Sequence, residues 1–295
     1  MKRLFANLFL AVALCAVVSV SLCGCGAEPI KSETLYVTIS PLRPLVEGVV
    51  GDDFDVEILV PTGASPESFE PTPRQFIALN SAQAVFAVGL IEFERNLISR
   101  IAEQRKVVDL SSGIELIAGS CSHNHNHSAD CAHSHHRHGV DPHIWSSPKA
   151  LKQMAQNVYS SIAALYPDSV KYKTNYETLV TQLDSLDMTV QELCDGARTR
   201  EFIIYHPALT YLSRDYGLEQ ISIEHEGKEP SAKRLTGIIE GAKAGGIKRL
   251  FYQSTYPRSS VAVVAEDIGA EPVEIDPLRE DIFANIVEIT RLITE

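Results

Sequence analysis

The segment from Asp168 to Leu193 constrains the fold of this chain more than any other part of the sequence. It contains no glycine or proline, and its apolar residues recur at alternating spacings of four and three: Tyr172, Tyr176, Leu179, Leu183, Leu186, Val190 and Leu193. This period predicts one long helix with a narrow apolar stripe. At about 1.5 Å rise per residue, the helix would be on the order of 40 Å long.

Apolar runs of strand length alternate with amphipathic runs of helix length on both sides of this segment. Before it, the pattern predicts strands at 35–39, 56–60, 84–88 and 106–110, and helices at 44–50, 74–80, 92–104 and 148–165. After it, the pattern predicts strands at 202–205, 220–223, 247–252 and 272–275, and helices at 210–216, 232–244, 258–268 and 281–292. Such alternation is typical of parallel α/β units.

We therefore expect an α/β fold with two lobes, each built on a parallel sheet, that are joined by a single long rigid helix. The expected boundaries are 32–167 for the N-terminal lobe, 168–195 for the linking helix and 200–295 for the C-terminal lobe. The narrow stripe also fits a coiled-coil dimerisation helix. Because the helix lies between two lobes that must be joined, we favour a strut within one chain, and we expect a monomer.

The first residues predict export from the cytoplasm. Lys2 and Arg3 precede an apolar stretch at 4–22, and Leu22-Cys23-Gly24-Cys25 resembles a bacterial lipoprotein cleavage site. Residues 1–24 would be the signal peptide, and Cys25 would be acylated and would anchor the mature protein to the outside of a bacterial membrane. A transmembrane anchor is the alternative, but the polar segment after Cys25 and the placement of the cysteine favour cleavage.

Cysteine content and charge narrow the class of protein. After removal of the signal and acylation of Cys25, only Cys121, Cys131 and Cys194 remain, so disulfides do not build the scaffold. Loss of Lys2 and Arg3 changes the formal charge from −12 to −14. Such a surface disfavours nucleic acid as a partner and tolerates cations, although solubility alone explains the charge equally well.

A histidine-rich run between Cys121 and His138 indicates that the protein handles a metal. It holds seven of the ten histidines and no apolar residue larger than alanine. Imidazole is a preferred ligand of zinc, whereas an expression tag or a solvated spacer would explain the run less well. These accessory residues are His123, His125, His127, His133, His135, His136 and His138.

Four sequence neighbourhoods each place a possible ligand just beyond a strand. The rigid loop from Pro61 to Pro73 presents Glu67 and Glu70, and the other three neighbourhoods are Asp141-Pro-His143-Ile-Trp145, Tyr205-His206-Pro207 and Glu274-Ile-Asp276-Pro277. Ligands of open α/β sheets collect at the carboxyl ends of the strands, so these residues can converge in one cleft. Taken singly, each has an ordinary explanation: an exposed loop charge, a core histidine or an Asp-Pro turn.

At these motifs the chain resembles the ZnuA-like lipoproteins and periplasmic proteins that deliver zinc or manganese to ABC importers. The resemblance covers nearly all of the mature chain. It rests on the Pro-Thr-Gly-Ala loop that ends in Phe69-Glu-Pro-Thr-Pro73, on Asp141-Pro-His-Ile-Trp145, on His206-Pro207 with 211–220, on Gly227-Lys-Glu-Pro-Ser231 and on Asp276-Pro-Leu278. It implies two α/β lobes, a long connecting helix, a metal in the cleft and, in zinc members, a histidine-rich loop before the second ligand.

The resemblance implies a ligand set with one departure from the family pattern. His143 matches the second ligand, His206 the third and Asp276 the last, but Ser65-Pro-Glu67 stands where the family usually has Asp-Pro-His. We expect Glu67 to replace the missing imidazole. A site of Glu67, His143, His206 and Asp276 would offer four ligands with two negative charges.

The expected metal is Zn²⁺, with Mn²⁺ as the alternative. Two imidazoles and two carboxylates form a harder ligand set than three histidines, which suits manganese better. The histidine-rich run favours zinc, because nitrogen sites bind zinc more tightly than manganese or ferrous iron. Its histidines are expected to be accessory, and Cys121 and Cys131 would either form a disulfide or add thiolates there.

The expected function is capture of Zn²⁺ and its delivery to an ABC permease, without catalysis. A manganese- or iron-binding protein of the same importer class is the first alternative. A secreted zinc hydrolase is another, but four ligands would close the zinc shell, Glu70 would have to act as the base, and no His-Glu-x-x-His segment exists. A lipid-anchored zinc buffer without a permease is the third.

Overall fold

The structure is a computed structural model that describes residues 34–118, 139–224, 230–256 and 258–295.

The first parallel sheet is built from strands of the N-terminal half. The four strands are β1 (Thr34–Val37), β2 (Asp55–Ile58), β3 (Ala84–Ala87) and β4 (Val107–Asp109). They lie in the order β2-β1-β3-β4, and every pair is parallel. All residues of β3 are buried, as expected of a central parallel strand covered on both faces.

The second sheet repeats this arrangement in the C-terminal half. Its strands are β5 (Glu201–Ile204), β6 (Glu219–Ser222), β7 (Arg249–Tyr252) and β8 (Glu271–Glu274). Their order is β6-β5-β7-β8, again with parallel pairs only. The two predicted α/β lobes with parallel sheets are confirmed.

The helices agree closely with the sequence pattern. They are α1 (Arg43–Val50), α2 (Pro73–Ser81), α3 (Glu92–Ile98), α4 (Pro148–Leu165), α5 (Val170–Asp195), α6 (Thr210–Tyr216), α7 (Ala232–Ala244), α8 (Arg258–Ile268) and α9 (Ile282–Thr294). None of the helices in these described ranges is both long and apolar enough to cross a membrane.

Helix α3 is shorter than predicted. The pattern indicates a helix over 92–104, whereas α3 ends at Ile98 and a short 3-10 turn follows at Gln104–Lys106. The side-chain amide of Gln104 donates to the carbonyl oxygens of Ile98 and Ile101, at 2.7 Å in each case. These bonds satisfy carbonyls at the end of the helix, so the chain can turn before β4.

Helix α5 is the predicted long helix, and its stripe faces the protein. The hydroxyl of Ser169 accepts a hydrogen bond from the Tyr172 backbone N–H and caps the N-terminus. The buried positions are Tyr172, Leu179, Leu183, Leu186, Val190 and Cys194. The helix packs against α1 and α4 of the first half and against α9 of the second. Its apolar stripe is therefore covered within the chain, as a strut requires.

One apolar core is continuous between the two sheets. The larger cluster of buried residues includes Leu35 and Phe86 of the first sheet and Phe202 and Phe251 of the second. A smaller cluster around Ile203 and Leu250 lies on the other face of the second sheet. Because close-packed side chains join the two sheets, large relative movements of the lobes would cost buried contacts. The proposed lobe boundaries themselves stay a prediction.

Three of the expectations concern other residues. The signal peptide at 1–24, the acylated Cys25 and the histidine-rich run at 121–138 all lie outside the described ranges.

Candidate metal centre

A cleft at the carboxyl ends of the strands brings the predicted ligands near one another. Glu67 lies in the loop after β2, His206 follows β5, and Asp276 follows β8; all three line the cleft. His143 also lines it and begins the 3-10 turn Ile144–Ser146 ahead of α4. The parallel connections therefore bring together side chains that are far apart in the sequence.

Three of the four predicted ligands form a compact group. Glu67, His143 and His206 each offer one ligand atom, and these atoms lie within 4.8 Å of one another. The Nε2 atoms of the two imidazoles are 3.2 Å apart, and Oε1 of Glu67 is 3.0 Å from Nε2 of His206. This is the single such group of three or more His, Cys, Asp or Glu side chains within the described residues. Two nitrogens and a carboxylate oxygen match the ligand chemistry of zinc.

A buried carboxylate fixes each imidazole from its other side. Oδ1 of Asp141 lies 2.9 Å from Nδ1 of His143, and Oε2 of Glu224 lies 3.0 Å from Nδ1 of His206. Asp141 and Glu224 are both buried. Because an ionised carboxylate only accepts hydrogen bonds, each Nδ1 carries a proton, and Nε2 is the ring nitrogen that can bind a metal once it has no proton of its own.

The carboxylates also determine the protonation of the site without metal. Burial lowers the pKa of His206, but hydrogen bonds to Glu224 and Glu67 outweigh this effect and raise the pKa to about 9. The hydrogen bond to His206 holds the pKa of Glu67 below its usual value, although burial opposes this. Without metal, the imidazole of His206 therefore also carries a proton on Nε2, where it faces Oε1 of Glu67, and a metal at this nitrogen must displace that proton.

His143 is held in place from the second lobe. The Tyr211 hydroxyl accepts from the Ile117 backbone N–H at 3.1 Å and donates to the Asp141 carbonyl oxygen at 2.9 Å. Oδ1 of Asp141 in turn accepts from the His143 backbone N–H at 2.9 Å. Trp145, which is 3% exposed, covers the imidazole with its ring centroid 5.1 Å away.

His206 is held by the loop after β7. The Gln253 side-chain amide donates to the His206 carbonyl oxygen at 3.1 Å. The ring of Tyr256 stacks on the His206 imidazole, with a centroid distance of 5.7 Å and an interplanar angle of 22°. Burial, followed by the charge of Glu67 and a hydrogen bond to Glu224, raises the pKa of the Tyr256 phenol. The phenol is therefore neutral and forms a hydrogen bond with Glu224, the carboxylate that orients His206.

Asp276, the fourth predicted ligand, lies in the cleft wall but outside the group of three. It is exposed, and its Oδ1 accepts from the Leu278 backbone N–H at 2.9 Å. This hydrogen bond, from the backbone N–H two residues later to the aspartate side chain, closes an Asx-turn. Its role as a ligand stays a prediction, because its carboxylate is not among the ligand atoms that lie within 4.8 Å of one another.

A buried glutamate supports the cleft from the N-terminal lobe. Glu94 is fully buried, and its two carboxylate oxygens accept from the Thr38 hydroxyl and from three backbone N–H groups. The distances are 2.5 Å to Thr38 Oγ1, 3.0 Å to Val88 N, 2.8 Å to Gly89 N and 3.3 Å to Ile91 N. Burial raises the pKa of Glu94 to about 7, although all four hydrogen bonds lower it. The hydrogen bonds of this carboxylate thus hold the loop after β1 against the loop after β3. These two loops contribute Ile39 and Ile91 to the cleft.

The residues that support the two imidazoles and the cleft were not predicted from the sequence. Asp141 belongs to the Asp-Pro-His motif, so its place two residues before His143 is a usable signal. Glu94 is the third residue of its helix, where a glutamate can bond back to the backbone N–H at the helix start. Glu224, Gln253 and Tyr256 have no such local signal, since only the sheet brings them to His206.

Comparison with known proteins identifies the family. Residues 35–287 match the family model described as ZnuA, zinc-uptake complex component A periplasmic. A zinc-binding protein AdcA of Streptococcus pyogenes is 29% identical over 257 residues, which are 83% of this chain and 50% of that protein. The high-affinity zinc uptake system protein ZnuA of Bacillus subtilis is 28% identical over 279 residues, or 92% of this chain and 85% of that protein.

Solved structures agree with the sequence matches. A crystal structure of ZnuA superposes with a TM-score of 0.78 and 30% identity, and the match covers 89% of this chain and 98% of that one. A zinc-bound ZnuA deletion mutant gives a TM-score of 0.79 at 30% identity over 89% of this chain and 97% of that one. The chain spans about half the length of the streptococcal relatives it matches. The family model covers most of the sequence, and this chain belongs to the ZnuA family.

Proposed function

We propose that this protein captures Zn²⁺ in the cleft and delivers it to an ABC permease for import. The observation that carries the proposal is the convergence of Glu67 Oε1 with Nε2 of His143 and of His206. Each histidine has a buried carboxylate on Nδ1, which is the arrangement that prepares an imidazole for a metal. The names of the relatives, a zinc-binding protein and a zinc uptake system protein, support zinc as the cargo.

Asp276 would complete the coordination shell. With Glu67, His143 and His206 it would give zinc the four ligands that a closed site requires. The Asp276 side chain lines the same cleft and would leave its hydrogen bond to Leu278 when the metal enters. Two carboxylates among the ligands would neutralise the charge of the ion.

The ligand atoms of the group of three favour zinc over manganese. Two imidazole nitrogens favour zinc in the usual order of affinities, whereas manganese prefers an octahedral shell rich in oxygen. Glu67 in place of an imidazole makes the site harder and keeps manganese as the alternative cargo.

A competition titration tests the choice of cargo. Removal of 122–138 takes away the accessory histidines, and we expect the shortened, metal-free chain still to bind one equivalent of Zn²⁺ tightly. Manganese should not displace this zinc at equal concentration, because nitrogen ligands favour zinc. If the shortened chain lost its tight zinc site, or preferred manganese, the proposal would be wrong. The intact chain serves as the control and should show additional, weaker zinc binding.

Zinc binding is expected to weaken as the pH falls. Burial lowers the pKa of His206, but hydrogen bonds to Glu224 and Glu67 bring it to about 9. Below that pH a zinc ion must displace a proton, so its affinity should fall by about tenfold for each unit of acidification. An unperturbed histidine would show this dependence only below about pH 6.5. Zinc titrations from about pH 6 to about pH 8 would measure the slope. An affinity that did not change over this range would contradict imidazole ligation.

We further propose that the protein is anchored outside the cytoplasm and docks to a permease. Acylation of Cys25 would hold the mature chain on the extracytoplasmic side of a bacterial membrane, and a relative of Streptococcus pneumoniae is named a zinc-binding lipoprotein. We expect a monomer that docks to a permease, and an accessory loop at 121–138 that scavenges zinc at lower affinity.

We place the chain among binding proteins rather than enzymes. The matched family is described as a component of a zinc-uptake complex. Glu70, the residue a zinc hydrolase would use as a base, is exposed and does not appear among the residues that line the cleft.

A further inference from the structure

An indole hydrogen bond is one of the links between the two lobes beside the metal centre. Nε1 of Trp145, two residues after His143, donates to the Pro277 carbonyl oxygen at 3.0 Å. Both Trp145 and Pro277 are buried. The hydrogen bond therefore joins the segment that carries one imidazole ligand to the loop that carries Asp276.

The rest of the Asp276 loop is held mainly from its own lobe, and its far end also meets the first lobe through an exposed ion pair of Arg43 with Glu280 at 3.4 Å. The Asn285 side chain donates to the Asp276 carbonyl oxygen at 2.8 Å, and the Arg279 backbone N–H donates to the same oxygen at 3.2 Å. The backbone on the C-terminal side of Asp276 is thus fixed by Asn285 within the lobe and by Trp145 across the cleft. The Asp276 carboxylate is the part that remains exposed.

We infer that Trp145 is a positioning residue that keeps Asp276 within reach of a metal bound by His143. The inference rests on the proposed function. The indole N–H does not contact a ligand atom; it sets the distance between the His143 segment and the Asp276 loop. Without this bond, the loop would be linked to the first lobe only at Glu280, by an exposed ion pair that contributes little, and the Asp276 carboxylate would dissociate from a bound metal more often.

A core residue with no such role would behave differently. Trp145 packs in the continuous core, so its replacement would lower stability in either case. The two roles differ in one respect: a positioning role acts only through Asp276, so its effect on metal release must vanish when the Asp276 carboxylate is already gone.

The test is the rate at which zinc leaves each variant into an excess of a chromophoric chelator. Trp145→Phe keeps an aromatic ring and removes the N–H, and we expect zinc release about tenfold faster, the effect of one hydrogen bond. Asp276→Asn should also release zinc faster. The double variant should release zinc at the rate of Asp276→Asn alone.

Ser147→Ala is the matched control. Ser147 lies on the same segment, is buried, and its hydroxyl donates to Asp215 of the second lobe at 2.5 Å. Its removal also deletes a hydrogen bond between the lobes, but one away from Asp276, so zinc release should be unchanged. Thermal unfolding of each variant checks the fold. If Trp145→Phe does not fold, benzothienylalanine at this position removes the N–H and retains the volume.

Two outcomes would overturn the inference. One is zinc release from Trp145→Phe at the parental rate. The other is a Trp145→Phe effect that persists in full in the Asp276→Asn background, which would mean that the indole acts through His143 or through the core. If the parent chain did not bind zinc at all, the proposed function would be wrong instead, and the two failures are thereby distinguished.

Discussion

Glu67→Ala is expected to weaken zinc binding in the cleft by at least about a hundredfold. Removal of a residue that merely orients a ligand typically costs tenfold to a hundredfold, and Glu67 is proposed to contact the metal itself. Its Oε1 atom, 3.0 Å from Nε2 of His206, is the one oxygen in the group of three. Competition with a calibrated zinc chelator would measure the change, in the chain that lacks 122–138.

Two matched variants sharpen this prediction. Glu70→Ala removes an exposed carboxylate from the same loop and should leave zinc affinity within about twofold, since it changes only a surface charge that does not line the cleft. Unlike Glu67→Ala, Glu67→His should bind zinc tightly, and it should bind manganese more weakly than the parent does, because it replaces an oxygen ligand with a nitrogen. If Glu67→Ala and Glu70→Ala bound zinc equally well, Glu67 would not be a ligand.

Glu94→Ala is expected to destabilise the fold by about 4 kcal/mol. The change leaves the Thr38 hydroxyl and the N–H groups of Val88, Gly89 and Ile91 without their acceptor in a buried place, and each unsatisfied group costs about 1–3 kcal/mol. For a chain of this length the melting temperature should fall by roughly 10 °C. Calorimetry or circular dichroism during heating would measure it.

Glu92→Ala is the control for Glu94, because Glu92 lies in the same helical turn and is exposed. Its melting temperature should stay close to that of the parent. The pH dependence gives a second check. Folding raises the pKa of Glu94 from 4.5 to about 7, because burial outweighs the hydrogen bonds. The folded chain therefore holds this proton more tightly, so the contribution of Glu94 to stability is greatest below about pH 4.5 and falls as the pH rises towards 7. A Glu94→Ala variant as stable as the parent would contradict the role assigned to this carboxylate.

The architecture was predictable because each element leaves a local pattern. Four helices, among them α4 and α7, have the predicted bounds, since proline, serine and glycine mark their ends. The stripe of α5 predicted one long helix because its period needs no tertiary information, and the position of that helix between two lobes favoured a strut over a dimerisation helix. Helix α3 was predicted too long, because a capping contact from Gln104 lies outside the periodic pattern.

The metal group was predictable only in part. His206 follows β5 and Glu67 lies in the loop after β2, so the rule for parallel sheets was enough to place these two together. His143 follows no strand, and the resemblance at Asp141-Pro-His143 predicted its role. The hydrogen bond that holds Asp276 to Leu278 depends on side-chain geometry within the turn, and sequence does not report it. Glu224 lies 18 residues from His206 and contacts it only because β5 and β6 are neighbours. Supporting residues of this kind require the folded structure.

The most direct test of the central claim is the position of the metal in a zinc-loaded crystal, measured by anomalous diffraction at the zinc edge. For the chain that lacks 122–138, we predict one strong peak between Glu67, His143 and His206. Zinc should lie at about 2.0–2.2 Å from Nε2 of each imidazole and from a Glu67 oxygen. A peak elsewhere in the molecule, or a shell in this cleft that excludes Glu67, would contradict the account.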